Sequence, residues 1–112
     1  MIAPEIRDQT LEQLDETFLK MTSPEWDLAL IGKPQDVLTQ AAEARELVQL
    51  ARLRLGNAAL SDIRDKLIKN EDGLEEGRNE LSQVLDMFDE IESALGAINS
   101  FLNVVARVVS LV

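Results

Sequence analysis

Glu43 and Glu46 stand three residues apart, and so do Asp62 and Asp65. Asp86, Asp89 and Glu92 repeat the spacing. On a helix this interval puts carboxylates on one face. Two such pairs from facing helices would supply hard oxygen ligands for Mg²⁺. Other acid-rich stretches carry less chemistry. In "NEDG" at 70–73, placing Gly73 at the turn glycine of an EF-hand puts Ile68 at the first ligand and Asn79 at the last, so no calcium loop is encoded. The chain contains no His, which removes the usual general base and the Glu-x-x-His signature of di-iron bundles. It contains no Cys, so disulfides, thiolate nucleophiles and sulfur-ligated zinc are excluded.

The pairs Glu43–Glu46 and Asp62–Asp65 resemble the E-x-x-E and E-x-x-D pairs with which the all-α nucleotide pyrophosphohydrolases bind magnesium. The resemblance covers four residues. Asp62 stands where that pattern has Glu, and Ala42 stands where a Glu usually precedes the first pair. It implies Mg²⁺-dependent nucleotide hydrolysis. Arg45 and Arg64 lie inside the two pairs, and this favours a solvated, salt-linked helix face instead. The expectation is a non-enzyme with no cofactor and no metal, the hydrolase being the alternative.

Composition narrows the partners. The 112 residues suit a single domain, 1–112, and the net charge of −10 opposes binding to phosphate backbones, so no nucleic acid is expected. The opening "MIAPEIRDQTLEQLDE" is charged throughout and unlike a secretory signal, so a cytoplasmic location is expected. Only 4% of residues are aromatic, so aliphatic packing must build the core.

Helical signals dominate. Leu11, Leu14, Phe18 and Met21 mark an amphipathic first helix over 5–21. Ser23, Pro24 and Glu25 start a short second one, which Gly32 ends. Residues 1–33 thus form short N-terminal helices. From residue 34 onward no strand alternation occurs, and Gly56–Asn57 can interrupt the helix. Two rows at heptad spacing then begin at Leu60 and Ile63. From Leu81 they hold Val84, Phe88, Ile91, Leu95, Ile98, Leu102, Val105, Val109 and Val112, all apolar.

Asn70 and Gly77 break these rows. A continuous rod from Pro34 would exceed roughly 100 Å at ~1.5 Å per residue. A turn is favoured, with Asn70 left-handed and Asp72 opening a capping box with Glu75. Residues 44–69 carry +3 and residues 71–92 carry −8. Folding near residue 71 lays them antiparallel, with Arg54 near Asp89 and Glu90 and Arg64 near Glu80. The same charges fit two chains crossing antiparallel. The fold expectation is therefore all-α: short N-terminal helices plus a long antiparallel helical hairpin, arms 34–69 and 73–112, completing a bundle by self-association.

The ending "LNVVARVVSLV" sharpens that expectation. Phe101, Val104, Val108 and Leu111 widen its apolar surface beyond a two-helix seam. It is expected to be helical and buried against residues 1–50, with Ala41, Ala42 and Ala44 facing it, and against a second subunit. The interface residues are then Leu81, Val84, Phe88, Ile91, Leu95, Ile98, Leu102, Val105 and Val109. A membrane tail is the competing possibility, opposed by Asn99, Ser100, Asn103 and Arg107. Function is expected to be non-catalytic: a helical interaction or oligomerisation protein, an adaptor, chaperone-like subunit or assembly component. Its partners are a second copy, a dimer being favoured, or another helical protein.

Overall fold

Ser23 opens its helix as its sequence predicts: the hydroxyl accepts the Trp26 N–H at 3.2 Å, and Pro24 follows at the first helical position. The computed structural model describes residues 1–88 and 90–111. Over these the chain forms α1 (Ala3–Met21), α2 (Pro24–Leu30), α3 (Gln35–Asn57), α4 (Leu60–Lys69), α5 (Glu71–Asp86) and α6 (Ile91–Val105). Gly32, at φ 82°, makes the left-handed turn that carries the chain from α2 towards α3. The fold is an all-α bundle.

Each expected long arm is two helices. The first divides at Ala58 and Ala59, whose ψ angles of 138° and 131° are extended, directly after the poor helix formers Gly56 and Asn57. The second divides between Met87 and Glu90. Acidic residues oppose the negative end of α5 but favour the positive end of α6, where Glu92 lies in the first turn. Asn70 is not left-handed. At φ −105° and ψ 12° it bends the chain between α4 and α5, and its side-chain amide donates to the Lys66 carbonyl at 2.8 Å. Asp72 caps nothing, because α5 already begins at Glu71.

The antiparallel hairpin of this fold is α5–α6. Gly77 faces Phe101 and Gly73 faces Val104, so numbering rises along one helix as it falls along the other. The acidic helix therefore lies on α6 and α1 rather than along residues 44–69. The expected pairing of Arg64 with Glu80 is not among the ion pairs of the described residues. Arg54 instead donates to the Ser110 carbonyl at 3.3 Å; of its expected partners, Asp89 lies outside the described residues and Glu90 is at the far end of α6.

Small side chains set the packing of α3. Ala41, Ala44, Val48, Ala51 and Leu55 form its buried row, and α1 and α6 pack against this helix. Ala42, expected to share that row, is exposed. The inward row of α1 is partly polar: Thr10, Gln13 and Thr17 are buried beside Ile6, Leu14 and Met21. Each threonine hydroxyl donates to the carbonyl four residues earlier, Thr10 to Ile6 and Thr17 to Gln13. The Gln13 amide donates to Thr17 Oγ1. These polar atoms are thus satisfied within α1 itself, which makes their burial tolerable.

In the apolar ending Leu102, Val105, Val108 and Val109 are buried, but its helix stops at Val105. Arg107 and Val108 donate to carbonyls three residues back, the tighter turn common at the end of a helix. No helix among the described residues is long and apolar enough to cross a membrane.

Candidate functional site

The carboxylates that could do chemistry stay apart. Glu43 and Glu46 are exposed on α3, and Asp62 and Asp65 are exposed on α4. Asp86 ends α5, Asp89 lies outside the described residues, and Glu92 is engaged by Lys33 at 2.9 Å. Among the described residues, no group of three or more acidic side chains is placed to share a cation. The Lys33 ammonium, together with the backbone N–H of Glu92 itself, holds the Glu92 carboxyl below its ordinary value.

The heptad seam faces into the chain. Leu81, Ile91, Leu95, Ile98, Leu102, Val105 and Val109 are all buried. Val84 and Phe88 are half-buried. Phe88 stacks on Trp26 with ring centroids 5.5 Å apart, and the Lys20 ammonium lies 5.0 Å from its ring centre. Most of the face expected to meet a second subunit is therefore occupied by the chain's own helices.

Apolar surface remains elsewhere, at the two ends of the bundle. One end gathers the close of α3, the start of α4 and the segment after α6. Leu53, Ala58, Ile63, Val108 and Val109 line an open groove there, with Arg54 and Lys66 on its rim; Ile63, Val108 and Val109 are themselves buried, and Leu53 is the exposed apolar side chain. Leu53 is 60% exposed. The opposite end gathers α2, the close of α5 and the start of α6, held together by the Trp26–Phe88 stack and the Lys33–Glu92 bridge. Val84 and Met87 form a mainly apolar patch there with Gln83, Ser93 and Glu90. Met87 is 79% exposed, and Leu28 and Ile31 of this end are also exposed.

A polar groove separates α1 from α5. Gln9, Glu12, Gln13 and Glu16 face Arg78, Asn79 and Ser82 across it. The Arg78 guanidinium donates to the Gln9 side-chain oxygen and so joins the walls. Hydrogen bonding and ion pairing are the chemistry that these groups offer.

Sequence reasoning missed both end patches. Met87 falls off the heptad rows and Leu53 falls off the buried row of α3, and that was the available signal: apolar residues outside the inward stripe of a helix. No known protein family, curated protein or solved structure matches this chain.

Proposed function

We propose that this chain is a non-catalytic interaction protein, an adaptor, chaperone-like subunit or assembly component that works by presenting helical surface to another protein chain. The observation that carries this reading is the groove lined by Leu53, Ala58, Ile63, Val108 and Val109. There the exposed Leu53 stands beside the buried Ile63, Val108 and Val109 and next to the charged Arg54 and Lys66, an apolar contact with a polar rim of the kind that docking sites have. The proposed partner is a protein rather than nucleic acid, consistent with a net charge of −10. A cytoplasmic location belongs to the same proposal, and the lack of Cys fits a reducing compartment.

Two experiments test it. A photoreactive amino acid in place of Leu53, in the full chain, should give a covalent protein adduct on irradiation in cells that express it. Monomer alone, across repeated trials, sinks the interaction reading. The magnesium-hydrolase alternative is tested with purified protein, nucleoside triphosphates and millimolar Mg²⁺. Hydrolysis that disappears in Glu43→Gln with Glu46→Gln would replace the proposal with an enzyme.

A further inference from the structure

The two apolar patches carry opposite charge at their rims. Arg54 and Lys66 border the groove at the α4 end, with Asp62 as its acid. Glu90 borders the Met87 patch at the other end, and Asp86 precedes Met87 in the chain. Because α5 and α6 run antiparallel, Met87 follows the end of one and Val108–Val109 follow the end of the other. The 15 residues of α6 separate the two patches by about 22 Å at ~1.5 Å per residue.

We infer that the two ends bind each other between copies of this chain. Met87 of one copy enters the groove formed by Leu53, Ile63 and Val109 of the next, while Glu90 and Asp86 come opposite Arg54 and Lys66. The inference rests on the interaction reading and names its partner. A second copy is the occupant because one chain carries both halves of a matched pair: an apolar projection with an acidic rim, and an apolar groove with a basic rim. On a chain of net charge −10, copies repel unless their oppositely charged regions meet. A methionine suits the projection, since its unbranched side chain adapts to an irregular groove. The contact is head-to-tail. Each added copy presents a fresh groove at one end and a fresh projection at the other, so the assembly grows linearly unless its geometry closes a ring.

Sedimentation velocity on the full chain tests this. The mean mass should rise steadily between about 10 μM and 1 mM, beyond two copies, as expected for an open contact in the weak range of protein association. Met87→Asp removes the projection and Leu53→Asp spoils the groove. Both positions are exposed, and circular dichroism verifies that each variant keeps its helices; Lys66→Glu is a second groove variant should Leu53→Asp misfold. Each variant alone should be monomeric. An equimolar mixture of a projection variant and a groove variant should form a one-to-one dimer and nothing larger, because one intact contact remains. A wild-type chain that stays monomeric, a mass that stops at two copies, or a variant that assembles as the wild type does would each overturn the inference. If the wild type is monomeric but the position-53 probe traps a different protein, head-to-tail assembly fails and the interaction reading stands. If nothing is trapped and the chain is monomeric, both fail.

Discussion

Gly77 of α5 lies so close to Phe101 of α6 that a Cβ built on it would sit 2.9 Å from Phe101 Cδ1 and 3.7 Å from its Cα. Phe101 is buried, so its ring has little room to yield. Gly77 breaks the apolar heptad, yet in the structure it opens the space that Phe101, a large residue beside the seam, fills. Gly96 provides the contrast: it lies in α6 with nothing within 4 Å of an added Cβ.

Gly77→Ala should therefore lower stability by about 1 to 3 kcal/mol, the range of an overpacked core. Gly96→Ala should raise it by up to ~1 kcal/mol, because alanine is the better helix former. Urea denaturation of the two variants against wild type measures both. Equal and positive shifts would mean that α5 and α6 do not meet at Gly77.

These glycines also show what was legible in the sequence. The heptad rows identified inward residues well: Leu81, Ile91, Leu95, Ile98, Leu102 and Val105 are all buried. They could not locate the breaks, because a seven-residue register continues unaltered across the turn between Leu85 and Ile91. Charge patterning misled the choice of neighbours. Exposed ion pairs are each worth roughly 0 to 1 kcal/mol, whereas burying the apolar faces of α5 and α6 against each other is worth several. The inner row of α1 was hidden for another reason. Thr10, Gln13 and Thr17 carry no apolar signal, and their tolerance in the core comes from bonds within their own helix. Glu43 with Glu46 and Asp62 with Asp65 do lie on exposed faces of α3 and α4, whereas Asp86 and Glu92 belong to different helices, α5 and α6; sequence spacing along a helix does not say which faces meet.

The bridge between Lys33 and Glu92 gives a pH prediction. The Glu92 carboxyl is held below its ordinary value, first by the Lys33 hydrogen bond and then by its own backbone N–H. A lowered native value means that the unfolded chain takes up this proton first as acid is added. The contribution to stability is complete above the ordinary carboxylate value and is lost as pH falls through the lowered one. Lys33→Met should move the Glu92 titration, followed by carbon-13 NMR of the side-chain carboxyl, back towards the ordinary value. An unmoved titration would show that Lys33 does not hold α6 at this point.

Trp26 offers a spectroscopic check on the α2 end. It is the chain's single Trp, 2% exposed and stacked on Phe88 at an interplanar angle of 9°. Phe88→Ala removes the stacked ring and admits water to the indole. The emission of Trp26 should shift to longer wavelength, and stability should fall by about 0.5 to 1.5 kcal/mol for the ring pair, before any loss from reduced burial. Unchanged emission would place Trp26 away from the α5–α6 turn.

Leu102 tests whether the apolar ending is core. It is 4% exposed on α6, between the buried Ile98 and Val105, and the segment after the helix folds back so that Arg54 of α3 bonds the Ser110 carbonyl. Leu102→Ala should cost roughly 2 to 5 kcal/mol, the range for a buried leucine that leaves a cavity. Because the residue is enclosed within one chain, the loss should be the same at low and high protein concentration. Leu102→Asp should unfold the chain, since a charge would be buried without a partner. Leu53→Asp, at the exposed groove, should leave the melting temperature of dilute protein nearly unchanged. Thermal melts followed by circular dichroism separate the cases. A Leu102→Ala loss that vanishes on dilution would mean that the seam serves contacts between chains, and the ending would then be interface rather than core.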